Sequence, residues 1–305
     1  MPSSFELPHL RLTLHPVLGH KVPSNGYMQM KKSIPGPLDL ANARLEARTV
    51  KLTYGDRVIS ENLSFKVPDG LFTVIVGPNA CGKSTLLRAL ARIIRPEAGS
   101  VVLDGREIER LPARDVARTL GLLPQSSVAP DGITVADLVA RGRYPHQSFL
   151  QRWSRADEEA VNRAMQTARV QELANRAVDE LSGGQRQRVW IAMVLAQETP
   201  LLLLDEPTTF LDIAHQIELL NLLRDLNRRQ GNTVVAVLHD LNQACRYADH
   251  IVAMRDGRVI VEGDPRSVMT ADLVQTVFGL AAVVIDDPVT GDPMVVPLDD
   301  PSPVA

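Results

Sequence analysis

The sequence predicts an α/β fold: alternating half-buried strands, then a mixed sheet built on a central parallel strand and interrupted by a helical segment. Three observations carry this. Alternating stretches begin at residue 45. The continuous apolar run LFTVIV (71–76) leads through a glycine-rich turn into a helix. Residues 134–197 then lose the strand pattern, and α/β alternation resumes after them.

The 305 residues are 45% hydrophobic and 23% charged, enough to build a sizeable core. Net charge is −3, which gives no basic field to argue for nucleic acid or for an anionic membrane surface. The two cysteines, Cys81 and Cys245, are too far apart to form a framework, so a reducing compartment is expected. No apolar run approaches the roughly 18–20 residues of a spanning helix, and prolines and histidines interrupt the N-terminus where a signal peptide would have its apolar core. The chain reads as soluble and cytoplasmic, with any membrane role carried by a separate partner.

In order along the chain, residues 1–43 hold six prolines and three histidines without periodicity and read as an irregular extension. The spacing of His9, His15 and His20 fits no metal-ligand pattern, and Met28 or Met30 offers an alternative start. RLEARTVKLTYG and RVISENLSFKV alternate as half-buried strands around Gly55–Asp56. After the central strand 71–76, KSTLLRALARII reads as a helix closed by Pro96 and Gly99. SVVLDG and LGLLPQ are further strands, and helices fill about 126–197. The strand LLLL (201–204), a helix over 213–229, the strand TVVAVL and the strand HIVAMRDG complete the sheet. Ile217, Leu220, Leu223 and Leu226 give the 213–229 helix a core-facing stripe. The domain closes near residue 280; VVIDDPVTGDPMVVP then reads as a hairpin across TGD, with an acidic, proline-rich tip within 281–305.

The chemistry begins at GPNACGKST: Gly77, Pro78, Asn79, Ala80, Cys81, Gly82, Lys83, Ser84 and Thr85. This is G-x-x-x-x-G-K-[ST] with a strand before it and a helix after it, the context of a phosphate-binding loop. Its backbone N–H groups curl around phosphate oxygens and the helix N-terminus favours their charge. Lys83 would reach the β- and γ-phosphates, and the Ser84 hydroxyl would ligate Mg²⁺. An ordinary negative φ is expected at Ala80. Cys81, at a helix N-terminus beside Lys83, is expected to be an exposed, reactive thiolate, and Cys245 a buried, inert thiol. Asp205 and Glu206 follow the strand 201–204. At the C-terminal edge of a parallel sheet they face the same crevice, Asp205 to hold Mg²⁺ directly or through water and Glu206 to orient or deprotonate the attacking water.

With LSGGQRQR (181–188) between those two motifs, the chain resembles the ATPase subunits of ABC transporters over about residues 45–263. The likeness also rests on the glutamine ending LLPQ, on LLLLDEP, on the FLD turn and on the histidine after VVAVL. It implies a P-loop NTPase (RecA-like) core with an antiparallel β-subdomain and an inserted helical subdomain. It implies ATP and Mg²⁺ as cofactors, and two copies sandwiching two nucleotides head to tail. In such a dimer Ser182, Gly183, Gly184 and Gln185 would cap the nucleotide of the other copy, with exposed N–H donors and a hydroxyl at a helix N-terminus. By the same resemblance, Tyr54 would stack on adenine. Gln125 would contact Mg²⁺ and water and report to the membrane subunit. Asp212 would communicate between the sites, and His239 would bridge the γ-phosphate.

GRYPHQS (142–148), DEPTTFLDIAHQIELL and the terminal hairpin resemble the branch that imports ferric siderophores; sister branches import haem or cobalamin. Partners implied are a transmembrane permease and, indirectly, a solute-binding protein, with no nucleic acid. Tyr144, Phe149 and Trp153 would anchor a docking edge beside Gln125. Two other readings compete. A soluble, non-transport ABC-type switch usually carries two cassettes or a coiled-coil arm, both missing from this sequence, and a P-loop kinase leaves LSGGQ unexplained.

Overall fold

The computed structural model describes residues 43–125, 127–147 and 153–299. His9, His15, His20, Met28, Met30 and Phe149 lie outside the described residues.

The opening strands β1 (Leu45–Tyr54) and β2 (Arg57–Val67) form an antiparallel hairpin. With β4 (Ala98–Leu103) and β5 (Arg106–Glu107) they make a four-stranded sheet in the order β2-β1-β4-β5. Alternation sends Val50, Leu52, Leu63 and Phe65 into the core while the residues between them meet solvent. The register between β1 and β4 slips after Arg48, where Thr49 takes φ +48° and Gly99 φ +76°. A Cβ on Gly99 would run into the carbonyls of Arg48 and Thr49, so this crossing demands glycine.

The central sheet comprises β3 (Phe72–Val76), β6 (Leu120–Leu123), β7 (Leu201–Leu204), β8 (Thr233–Val237), β9 (His250–Arg255) and β10 (Arg258–Gly263) in the order β10-β9-β3-β8-β7-β6. All pairings are parallel except β9 with β10, so the sheet is mixed as expected. The central strands β3, β7 and β8 are continuous buried runs because both faces are covered, whereas β10 at the edge alternates exposed and half-buried residues. Leu202, Leu204, Val74, Val234 and Ala236 face one core, shared with the helices. Leu201, Leu203, Ile75, Val235 and Val237 face the other, shared with the antiparallel sheet and helix α1 (Lys83–Leu90).

Helix α1 is shorter than its apolar pattern predicts. It stops at Leu90 because Arg92 turns left-handed (φ +59°), letting the Ile93 and Ile94 N–H groups return to the Arg88 carbonyl. Gly99 therefore belongs to β4 and closes no helix. A short helix α2 (Ala113–Thr119) precedes β6.

Helices α3 (Val135–Ala140), α4 (Arg155–Thr167) and α5 (Gly183–Ala196) occupy the stretch before β7. The GRYPHQS stretch is in part a core element: Arg143 is 5% exposed, and its Nε donates to Asp157 Oδ1 at 2.9 Å. Its Nη1 donates to the Ala196 carbonyl at 2.7 Å and to Glu198 at 2.9 Å, tying the loop to α4 and to the end of α5. Helix α6 (Ile213–Gln230) buries Leu219, Leu220, Leu223 and Leu226, while Ile217 is only partly covered. Helix α7 (Leu241–Tyr247) follows β8, and α8 (Pro265–Val268) and α9 (Ala271–Phe278) follow β10. The terminal hairpin, β11 (Ala282–Asp286) with β12 (Pro293–Pro297), docks on α7 through Asn242. Its Oδ1 accepts the Val295 N–H at 2.7 Å and its Nδ2 donates to the Val295 carbonyl.

Candidate nucleotide site

The turn between β3 and α1 sits at the mouth of a cleft of about 670 Å³, lined by Tyr54, Asn79 to Thr85, Gln125, Glu206 and His239 among others. Local sterics explain its glycines. Gly77 has φ +154°, and a Cβ there would run into the Met254 carbonyl. Gly82 has φ +105°, and a Cβ there would approach Ile59 Cγ2 at 2.9 Å. Ala80 departs from expectation: its φ is +60°, left-handed. The loop must reverse direction within a few residues to aim its N–H groups inward, and Ala80 is exposed enough for its Cβ to stand in open solvent.

Lys83 is 5% exposed and folds over the loop, its Nζ donating to the Gly77 carbonyl at 2.9 Å and the Pro78 carbonyl at 2.8 Å. Cys81 also departs from expectation. It is 5% exposed and its Sγ lies beneath the loop, 3.9 Å from Lys83 Nζ. Burial pushes the Cys81 thiol up, against the smaller pull of Lys83. Proximity to a helix start and an ammonium is outweighed by loss of solvent. Cys245 is fully buried, as its helix face predicts.

Ser84 and Asp205 meet under the loop, the Ser84 hydroxyl donating to Asp205 Oδ1 at 2.7 Å. Asp205 is 1% exposed, and its second oxygen has no hydrogen-bond partner. Burial pushes its carboxyl up; Ser84, Arg88 and Lys83 oppose that, and neighbouring Glu206 adds to it. A buried carboxylate with an open oxygen beside a serine hydroxyl is the donor set a hard divalent cation takes when phosphate supplies further ligands. Among the described residues no cluster of three or more His, Cys, Asp or Glu offers an all-protein metal cage. The residues present therefore fit Mg²⁺ bound together with a phosphate, and not a free-standing metal centre.

Glu206 stands at the cleft surface with φ +52°. Its Oε1 lies 2.7 Å from His239 Nε2, while Oε2 accepts from Gln125 Nε2 at 2.8 Å and from Thr209 Oγ1 at 3.2 Å. Partial burial pushes this carboxyl up, but the donors prevail and hold it below the usual glutamate range. It is therefore a carboxylate at neutral pH, fixed in orientation and able to accept a proton.

Of the remaining predicted residues, only Tyr54 lines the cleft. Ser182 caps α5 in a reciprocal box: its Oγ accepts the Gln185 N–H at 3.3 Å, and Gln185 Oε1 accepts the Ser182 N–H at 3.1 Å. Ser182 and Gly183 are exposed, Gly184 and Gln185 are half-buried, and none of the four lines the cleft. Asp212 caps α6, accepting from the His215 N–H at 2.9 Å, and it too lies outside the cleft. Tyr54 is 65% exposed at the end of β1, on the cleft wall. Tyr144 and Trp153 are exposed, as a docking edge requires.

Four residues escaped the sequence reading. Arg57, Ile59 and Arg88 line the cleft, and Thr209 is the third donor to Glu206. Arg88 was legible as the residue one helical turn beyond Ser84. Nothing local marks Ile59, which reaches the site only through the β2–loop contact.

The comparisons agree with this geometry. The ABC transporter family profile matches residues 60–209. The chain is 56% identical over 261 residues to the ferric enterobactin transport ATP-binding protein FepC of Escherichia coli (strain K12), covering 86% of this chain and 96% of that one. It is 54% identical over 253 residues to the probable siderophore transport system ATP-binding protein YusV of Bacillus subtilis (strain 168), covering 83% and 92%. Among solved structures, an inward-facing ABC transporter assigned to the metal-chelate type aligns with TM-score 0.72 and 30% identity over 84% of this chain and 98% of that one. A dimeric bacterial ABC transporter cassette aligns with TM-score 0.65 and 28% identity over 72% and 98%. With identity above half along nearly the whole of such relatives, and with its phosphate loop, carboxylate pair and Ser-Gly-Gly helix start in these positions, the chain belongs to the ABC transporter family, among its ATP-binding ATPase subunits.

Proposed function

We propose that this chain hydrolyses ATP to drive an importer of ferric siderophore. The observation that carries the hydrolytic part is Glu206, an ionised carboxylate held by His239, Gln125 and Thr209 at the mouth of the phosphate loop. Lys83 would exchange its two loop carbonyls for the β- and γ-phosphate oxygens, a substitution its flexible stem permits. Glu206 would take the proton of the attacking water onto Oε1 or Oε2, and His239 would steady that carboxylate and reach the γ-phosphate. Tyr54 supports the adenine from the cleft wall. Ser84 and Asp205, with Gln125 nearby, would hold Mg²⁺, which when bound neutralises charge on the phosphate oxygens.

Exposed Ser182 and Gly183, away from this chain's own cleft, support a second copy as the owner of the nucleotide they cap. Ser182 Oγ accepts within its cap and still has its own proton to donate. Asp212 sits between that helix start and the following helix, where a signal between the sites would pass. No described helix is long and apolar enough to cross a membrane. The importer thus needs a permease, which this chain would join at the cytoplasmic face through Tyr144 and Trp153, and through which a solute-binding protein delivers cargo.

The cargo reading rests on the names of the siderophore relatives. Uptake of radiolabelled ferric siderophore in a deletion strain tests it. Uptake should fall to background and return with the wild-type gene but not with Glu206→Gln. Unchanged siderophore uptake with lost haem or cobalamin uptake would reassign the cargo.

A further inference from the structure

The segment that follows Glu206 is gripped by side-chain amides from other helices. Gln216 on α6 donates from Nε2 to the Leu211 carbonyl at 3.0 Å and, more weakly, to the Thr208 carbonyl at 3.4 Å. Its Oε1 accepts from Gln243 Nε2, on the first turn of α7, at 2.8 Å. From the α5 side, Gln187 Nε2 donates to the Pro207 carbonyl at 3.0 Å.

These contacts admit one arrangement of Gln216. Backbone carbonyls only accept, so the amide nitrogen must face Thr208 and Leu211. The oxygen must then face α7, and Gln243 must be the donor there. The bonds close a ring. Gln243 also gives its backbone N–H to Asp240 Oδ1, the N-cap of α7, at 2.9 Å. Asp240 follows His239, and His239 meets Glu206 at 2.7 Å. From Glu206 the chain returns through Pro207 and Thr208 to the Gln216 amide. Neither Gln216 nor Gln243 lines the cleft, and both are half-buried between α6 and α7.

Glu206 and His239 each lie two residues beyond the end of a different strand, β7 and β8, in loops that no shared covalent element fixes against one another. Glu206 (φ +52°) and Phe210 (φ +68°) both occupy the left-handed region, a conformation that persists only where its surroundings hold it. We propose that Gln216 and Gln243 are positioning residues: their mutual hydrogen bond locks the start of α7 to the turn after β7, and so sets the contact between Glu206 and His239. They touch no reacting atom and act through the two residues that do. This inference rests on the hydrolytic reading of Glu206.

The test uses the full-length chain and steady-state ATP hydrolysis with Mg²⁺, comparing wild type, Gln243→Met, Gln216→Met, the double variant and Glu206→Gln. Methionine keeps the length and removes the bond. Each single variant should lower kcat about tenfold, because a small misplacement of the reacting groups is costly, while KM and nucleotide affinity stay within about twofold of wild type. The double variant should be no slower than the worse single one, since both break the same contact. Loss of thermal stability with kcat retained, or multiplicative losses in the double variant, would overturn the inference. If Gln216→Met fails to fold, Gln243→Met decides alone, since it leaves the grip on Thr208 and Leu211 in place. Glu206→Gln separates the two ideas. If it keeps wild-type turnover, the hydrolytic reading falls. If it is inactive while both methionine variants turn over normally, only the positioning role falls.

Discussion

The Ser84 hydroxyl meets Asp205 Oδ1 at 2.7 Å, joining the first turn of α1 to the end of β7 across 121 residues of sequence. This bond satisfies one oxygen of a carboxylate that is otherwise sealed from solvent and leaves the other bare. A bare buried carboxylate oxygen is a thermodynamic cost that binding would relieve.

Asp205→Asn should therefore stabilise the nucleotide-free protein, by about 1 kcal/mol, because a neutral amide is cheaper to bury and still accepts from Ser84. The same change should abolish the Mg²⁺ dependence of ATP binding. Thermal melts without nucleotide and binding titrations with and without Mg²⁺ check both halves; a variant less stable than wild type contradicts the reasoning.

Lys83→Ala and Ser182→Arg should each be inactive, for different reasons. The first would lose the clamp on its own phosphates, and the second would set a bulky charge against the nucleotide of the other copy. Mixed heterodimers then contain one site with neither defect, and activity should return to a sizeable fraction of wild type. Heterodimers shown to form by size-exclusion chromatography yet lacking activity argue against hydrolysis at a single composite site.

Cys81 should react slowly with maleimide at pH 7.5, about as slowly as the fully buried Cys245. Burial raises its thiol above the ordinary value, so the thiolate fraction at that pH is lower than for a free cysteine. Mild denaturant should expose both sulfurs together. Mass spectrometry after brief labelling distinguishes this from rapid, selective modification of Cys81.

The Arg143–Asp157 pair makes a prediction about pH. Burial pushes the Asp157 carboxyl up, but bonds from Ser154 and Arg143 outweigh it and leave it below its ordinary value of 3.8. The folded state then binds this proton less readily than the unfolded state. The stabilisation is therefore fully present above about pH 4 and is lost as pH falls through the folded value. Asp157→Asn should cost about 2–3 kcal/mol at pH 7, and the deficit should shrink below pH 4. Urea melts across that range measure it, and a deficit independent of pH excludes the charged pair as its source.

What the sequence determined by itself is the part written in local pattern. Apolar runs such as 71–76 and 201–204 announce strands covered on both faces, because their residues have no polar side to show to water. GPNACGKST suggests its function within nine residues because the loop's own backbone and one lysine would do the binding. Ser182, Asp205 and Glu206 were legible through their places at element ends.

Tertiary structure decided whatever depends on distant neighbours. Ala80 turns left-handed because the loop must reverse, and Cys81 lost its expected reactivity to packing that no local pattern reports. Arg143, in a stretch read from sequence as a docking edge, is a buried anchor because Asp157 and the end of α5 arrive from elsewhere in the chain. Gln216 and Gln243 look like ordinary helix residues until α6 and α7 are set side by side. The physical reason is common to Cys81, Arg143 and the two glutamines. Solvent exposure and hydrogen-bond partners belong to contacts between elements, whereas backbone periodicity belongs to the elements themselves.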